Sequence, residues 1–197
     1  MEKLYIYGCS GHALVCFDIA KKYGYKNIEF IDDFKENYKS FDDVKENNDI
    51  PFFVAIGDNK IREKIFLNLK KYDFKIISLI DPSAIIAESV ELGQGVVIMP
   101  NVVVNSKTKI GEGVILNTSC VVEHENDIEA FVHISPSVAL AGNVKVKRNT
   151  HIGIGSCSIQ GKIIGENSVI GAGSVIVSDL PNNVKAFGNP CKVIEEL

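Results

Sequence analysis

The chain has 197 residues, 46% apolar and 23% charged, with a formal net charge of −4 and a pI near 5.6. This is the balance of an ordinary soluble globular protein, long enough for one domain or two small ones, and it argues against nucleic acid as a main partner. No window of 18 apolar residues occurs, so no membrane insertion is expected, and the opening MEKLYIYGCSGH lacks the layout of a signal peptide.

Residues 1–80 read as a small α/β domain of the βαβ, Rossmann-like type. Leu4–Tyr7 is a short apolar strand that runs into Gly8-Cys9-Ser10-Gly11-His12. A helix is expected over Ala13–Tyr23, with Val15, Cys16, Ile19 and Tyr23 on its apolar stripe and Gly24 ending it. Further strands are expected at Ile28–Ile31, Phe52–Ile56 and Lys75–Leu79, and a second helix over Ile61–Tyr72. Lys35–Asp49 reads as a polar loop with a short helix. A glycine turn between a first strand and a helix is a phosphate cradle, because the helix N-terminus offers unpaired N–H groups. The spacing here is Gly8-x-Ser10-Gly11-His12, and a purely structural turn would also explain it. Asp32-Asp33 and Gly57 fall at the ends of the next two strands, where open α/β sheets bind ligands. Asp81-Pro82 reads as the hinge to the second half.

From Ile86 to Ile176 every sixth residue is aliphatic at fifteen of sixteen positions, Ser158 being the exception. A second ladder, mostly small or β-branched, lies two residues before each. Neither a helix nor a meander gives a strict six-residue beat; an all-β parallel helix with three short faces per coil does. It is expected over 82–178, with 179–197 as a C-terminal tail. Glycines 93, 111, 153, 165 and 171 follow an aliphatic rung, where a tight turn is expected to need φ > 0. Within this run Glu123-His124-Glu125 follows the inward Val122, which places His124 at an outward corner. A solvated charged corner is the ordinary explanation of such a trio. However, the chain has only four histidines, and His133 and His151 follow half a coil on and one coil beyond that. An imidazole, with an unperturbed pKa of about 6.5, can accept and release a proton near neutral pH, so a catalytic role is expected for His124. The five cysteines are scattered, with no Cys-x-x-Cys pair. They read as reduced thiols in a cytoplasmic protein, and no metal-ligand cluster is visible.

The hexads resemble those of the left-handed β-helix of hexapeptide-repeat acyltransferases. Nearly the whole chain is similar to the bacterial nucleotide-sugar N-acetyltransferases of the bacillosamine type, a family that also holds sialic acid O-acetyltransferases. The resemblance rests on Tyr5-Ile6-Tyr7-Gly8-x-Ser10-Gly11-His12, Phe30-x-Asp32-Asp33-Phe34, Ala55-Ile56-Gly57, Val114-Ile115-Leu116-Asn117-Thr118-Ser119, Glu123-His124-Glu125, Ala141-Gly142-Asn143-Val144 and Gly188-Asn189-Pro190. It implies acetyl-CoA as co-substrate, no metal, and a UDP-4-amino-4,6-dideoxy-N-acetyl-hexosamine as acceptor. It also implies a homotrimer with the acetyl-CoA cleft between protomers. The general base falls on His124, and the carboxylate that strengthens it on Glu125. Acetyl-CoA contacts fall on His133, Gly142, Ile154 and Ala172. Nucleotide-sugar contacts fall on Ser10, Gly11, His12, Asp32, Asp33 and Gly57. Cys9 replaces the usual alanine of the turn, and Ala172 a glycine, so that only a backbone contact carries over there. Three other readings compete: O-acetylation of sialic acid or another nonulosonate, a zinc enzyme of the γ-carbonic-anhydrase type, and a non-catalytic sugar-binding or assembly protein on the same prism.

Overall fold

A computed structural model of the chain describes residues 3–197. The first half is a three-stranded parallel sheet, β1 (Lys3–Tyr7), β2 (Asn27–Ile31) and β3 (Phe52–Val54), in the order β2-β1-β3, with helices α1 (Gly11–Lys22) and α2 (Asn59–Lys71). Alternation along β1 sorts its side chains between two layers. Leu4 and Ile6 join Ala13, Cys16, Ile19 and Ala20 of α1 in a core shared with Val97 and Ile115 of the second half. Tyr5 and Tyr7 join Phe52, Phe66, Leu69 and Phe74 on the α2 side. The buried stripe of α1 is therefore Ala13-Cys16-Ile19-Ala20. Val15 and Tyr23, expected on it, are exposed, because the small Ala13 and Ala20 let the helix approach the sheet. Residues 35–49 form turns with no helix; Phe41 and Val44 anchor them in the second core.

The second half is a parallel β-helix. Two-residue rungs pair one coil apart, as in Ile115↔His133 and His133↔His151, and build three faces. The first contains Val97, Ile115, His133, His151 and Val169 and carries the N-terminal half. The second presents Ile85, Val103, Val121, Ala139, Cys157 and Val175, and the third Glu91, Lys109, Asp127 and Lys145. The aliphatic ladder and the small ladder both point inward: Val96, Ile98, Val102 and Val104 are fully buried, as are Thr108, Thr150 and Ser168. Outward rung side chains on the second face are uncharged, whereas those on the third alternate acid and base from Glu91 to Lys145 and end on Ile163.

The fourth strand expected at Lys75–Leu79 is divided. Ile76 makes a single bridge to Phe52, while Leu79-Ile80 pairs with Val97-Ile98 as the first rung of the prism. Asp81-Pro82 thus lies inside the first coil, with Asp81 buried and paired to Lys22 at 2.6 Å. At the other end Lys185-Ala186 adds a rung on Val169-Ile170, and Val184–Phe187 pairs antiparallel with Lys192–Glu196.

The turn glycines have a different cause from the one expected. Positive φ falls at every sixth residue from Gly95 to Gly173, through Asn101, Lys107, Gly113, Ser119 and Glu125 among others. Gly93, Gly111, Gly153, Gly165 and Gly171 lie two residues before or four after these and have ordinary φ. They are needed for space: a Cβ on Gly111 would lie 2.6 Å from the Ala130 amide of the next coil, and one on Gly165 2.3 Å from Pro181. Successive turns stack too closely there for any side chain.

Candidate active site

His124 sits on the corner between the second and third faces, in the turn that joins Val121-Val122 to Asp127-Ile128. Its side chain is 59% exposed, and Nδ1 lies 3.0 Å from Glu125 Oε2. Glu125 takes the left-handed conformation of this turn, φ 60°. With Nδ1–H donating to that carboxylate, Nε2 keeps its lone pair and is free to accept a proton. Gly142 occupies the equivalent turn one coil on, and a Cβ there would lie 2.5 Å from His124 Cε1 and 2.6 Å from Nε2. The ring is thus packed on a bare stretch of backbone. Among the described residues the Gly142 N–H meets no acceptor, while its carbonyl accepts from Gly161 N–H at 3.0 Å. Glu123, the other carboxylate of the trio, accepts from Asn105 Nδ2 at 2.9 Å and so belongs to the neighbouring coil.

His133 lies on the first face, in the junction between the two halves. Its ring stacks on His151 at 4.5 Å with a 1° interplanar angle, and His12 lies 6.4 Å away. Asn117 Nδ2 and the Gly57 carbonyl are its hydrogen-bond neighbours, at 3.2 and 3.3 Å. Burial, then the charges of His151 and Arg62, push its pKa down to about 3. Burial and then Arg62 push His12 down to about 4, and the same two causes lower His151. All three rings are therefore neutral near pH 7. His12 Nε2 is buried without a partner among the described residues. His151 is held through Nε2 by Ser135 Oγ at 2.8 Å.

The charge behind these shifts is Arg62, which the sequence reading did not single out. It is 1% exposed and donates to the carbonyls of Ile56 and Gly57 in its own half, and of Gly113 and Phe131 in the prism. Its other partners are the Asn59 side-chain oxygen and the more distant Val132 carbonyl, so among the described residues no carboxylate bonds it. In sequence it is one more charged residue of a polar helix, Asn59–Lys71, and nothing in its spacing marks it as buried.

At the strand ends, Gly8 has φ +102°, and a Cβ there would strike the Ala55 carbonyl at 2.8 Å, so this turn requires glycine. Ser10 is the N-cap of α1, with no side-chain cap bond, and Gly11 opens the helix with nothing within 4 Å of an added Cβ. Gly57 has the same open space. Asp32 and Asp33 are both engaged. Asp32 accepts from Cys9 Sγ and Phe34 N, each at 3.0 Å; Asp33 accepts from Phe41 N at 2.7 Å and from the Tyr7 hydroxyl. Burial and the Asp33 contact raise the pKa of Tyr7, so this phenol stays protonated. A cleft of about 570 Å³ opens beside them, lined by Tyr7, Asp33, Phe34, Ile61, Lys64 and Leu67. Of the expected acceptor contacts only Asp33 lines it; Phe34, 91% exposed at its edge, was quoted in a sequence motif but not as a contact.

One chain does not bring all the expected residues together. His12, Gly57 and His133 meet in the junction; His124, Glu125 and Gly142 meet at one corner. Ile154 and Ala172 stack on the corner between the first and second faces, where Gly173 N–H donates to the Ile154 carbonyl at 2.8 Å. Ile154 is 55% exposed there. The two corners bound the uncharged second face. Among the described residues no group of three or more His, Cys, Asp or Glu could hold a metal ion, and no helix is long and apolar enough to cross a membrane.

Residues 3–69 match the PglD N-terminal domain family, and residues 89–124 the bacterial transferase hexapeptide family of six repeats. Among solved structures, the chain is 33% identical to GDP-perosamine N-acetyltransferase from Caulobacter crescentus, a histidine mutant in complex with CoA and GDP-perosamine. That match covers 98% of this chain and 97% of that one, with a TM-score of 0.94. It is 35% identical to the acetyltransferase domain of PglB from Neisseria gonorrhoeae in complex with acetyl coenzyme A, over 98% of each chain, with a TM-score of 0.92. A curated relative, galactoside O-acetyltransferase of Lactococcus lactis, is 50% identical over 50 residues, 25% of this chain. The stretch shared with such curated relatives spans only about a quarter of their length, 24% in that case. The turns, the stacked rungs and the full-length likeness agree: the chain belongs to the hexapeptide-repeat acyltransferases that carry a PglD-type N-terminal domain.

Proposed function

We propose that this acyltransferase moves the acetyl group of acetyl-CoA to the 4-amino group of a UDP-4-amino-4,6-dideoxy-N-acetyl-hexosamine, the step that completes UDP-N,N'-diacetylbacillosamine. The observation that carries the reading is the corner at His124. An exposed imidazole is engaged by a carboxylate through Nδ1 and rests through its other edge on the bare backbone of Gly142. The neutral amine attacks the thioester carbon and a C–N bond forms. His124 Nε2 takes the proton lost by nitrogen. The C–S bond breaks, and that proton is available to the departing CoA sulfur. The unpaired Gly142 N–H is suited to the developing oxyanion. A thioester is already activated, so no covalent enzyme intermediate is needed. Cys120, fully buried with its thiol pushed up to about 12 by that burial, takes no part.

For the acceptor, the cleft beside Asp33 and the open backbone at Gly11 and Gly57 suit a nucleotide, with Ser10, Asp32 and His12 around it. The buried, unpartnered Nε2 of His12 supports a ligand contact from that ring. For acetyl-CoA, His133, Gly142, Ile154 and Ala172 lie on two corners and the first face of one prism. A second copy laid on the uncharged second face would set the His124 edge of one prism beside the Ile154 edge of the next. We therefore assign a homotrimer with the thioester cleft between protomers. GDP-perosamine in one relative and acetyl coenzyme A in another support an amino-sugar nucleotide and a thioester as the two substrates. The galactoside O-acetyltransferase match covers too little of that protein to favour O-acetylation.

The test is to incubate the protein with acetyl-CoA and UDP- and GDP-linked 4-amino sugars, following free CoA thiol and product mass. Turnover on the UDP-4-amino sugar is expected. Turnover on free sialic acid, with none on any sugar nucleotide, would replace this reading by O-acetylation.

A further inference from the structure

Asn126 is the only amide in the inward ladder of small residues, and it stands two residues after His124. It is 1% exposed. Its Nδ2 donates to the Glu123 carbonyl, one residue before His124, at 2.5 Å, and to the Ala141 carbonyl, one residue before Gly142, at 3.1 Å. Its Oδ1 accepts from the Val144 N–H at 3.0 Å. The hydroxyls of the same ladder do part of this elsewhere. Thr108 reaches the Glu123 carbonyl, Thr150 that of Gly165 and Ser156 that of Gly171, each one coil on. A hydroxyl has one proton, and a primary amide has two. Asn126 can therefore hold its own turn and the next at once. Those two turns carry the imidazole and the bare backbone on which it rests.

We propose that Asn126 is a positioning residue for acetyl transfer: from inside the prism it locks the His124 turn onto the Gly142 turn, fixing the imidazole against the unpaired amide. The inference rests on His124 being the general base. Asn126 touches no substrate; it acts through the backbone at 123 and 141. Valine, threonine or serine fills most of the ladder, so an amide here exceeds what the fold requires.

The test compares Asn126→Thr with Thr150→Val in the intact oligomer. Thr150→Val removes the same kind of turn bond, but at a corner without a candidate base. Asn126→Thr is expected to lower kcat at least tenfold and leave KM for acetyl-CoA within twofold. Thr150→Val is expected to lose a similar Tm and keep kcat within twofold. If Asn126→Thr does not fold, Asn126→Ser, which keeps a smaller hydroxyl, takes its place. His124→Ala and the double variant complete the cycle, and an Asn126 effect carried through the ring should vanish in the His124→Ala background. A kcat within twofold of the parent in the Asn126 variant, while His124→Ala is inactive, would overturn the proposal and leave the base standing. Equal kcat losses in the Asn126 and Thr150 variants would overturn it as a purely structural effect. An active His124→Ala would remove the base itself and the proposal with it.

Discussion

Gly142→Ala tests the contact on which the proposed chemistry rests. Non-bonded carbon atoms settle at about 3.5–4.0 Å, and the new methyl would meet His124 Cε1 at 2.5 Å, Nε2 at 2.6 Å and Nδ1 at 3.1 Å. The ring must therefore move by about 1 Å or turn away. Movement is cheap for stability, since the side chain is 59% exposed and Gly142 needs no left-handed φ. Restricting the unfolded chain even contributes about 0.4–1 kcal/mol toward folding. It is not cheap for chemistry, where a misplacement of about 1 Å costs roughly 10²-fold. We expect kcat to fall by about that factor, with Tm unchanged or slightly raised. Thiol release gives kcat, and thermal unfolding shows that the fold is intact. A kcat within threefold of the parent would refute the idea that the imbalance between space and ring position at this corner matters to the reaction.

Other outcomes follow from the same structure. His124→Ala should lose about 10²–10⁴-fold in kcat while acetyl-CoA affinity is kept; unchanged kcat rejects the base. Glu125→Ala should cost less, within roughly tenfold, because both partners are half exposed and screened by solvent; a loss equal to that of His124→Ala would contradict this. Arg62→Met leaves carbonyls of both halves unpaired in the buried junction, so a loss of roughly 3–5 kcal/mol is expected in urea unfolding. Arg62→Lys should recover little of it, because an ammonium cannot match the planar fork. Acid should loosen the junction. His12 and His133 have folded pKa values depressed below the unfolded one, so the unfolded chain binds more protons once pH drops under about 6.5. Stability should fall from there toward pH 4, by roughly 2 kcal/mol for each of the two by pH 5. Urea midpoints at pH 7.5 and 5.0 check this, and His133→Phe should flatten the slope.

Much of the fold could be read from the chain because the repeat is strict. A six-residue beat held over fifteen aliphatic positions allows one stacking, and the rungs pair where it puts them. The corner location of His124 follows from the same count. What escaped the sequence was whatever depends on contact between coils or between halves. The turn glycines were assigned to φ, whereas space between stacked backbones demands them. Leu79 was given to the sheet of the first half, since the two-residue rung Leu79-Ile80 is too short to carry a period of its own. Arg62 looked like a surface cation because its partners are carbonyls, and carbonyls leave no trace in a sequence. Phe34 and Tyr7 were quoted as parts of motifs, but only the folded loop sets them around one cleft.

The histidines show how one side-chain type is divided between two tasks. Three of them lie in the junction, where burial and the charge of Arg62 lower their proton affinity. Neutral rings there can accept or donate one hydrogen bond each without repelling a further cation, which suits fixed contacts to a bound ligand. The fourth lies on an open corner with a carboxylate at Nδ1 and, among the described residues, no cation bonded to it. A group that must gain and lose a proton in every turnover cannot be buried beside a guanidinium, because the protonated state would cost too much. It has to stand where water or a carboxylate can share the charge. The prism supplies both environments from the same repeat: a face covered by another domain, and a corner left bare by Gly142. Corner and junction lie on different parts of one prism, and in the proposed trimer a neighbouring subunit completes the site. A monomer that retained full turnover in light scattering and assay together would show that the division is not used in this way.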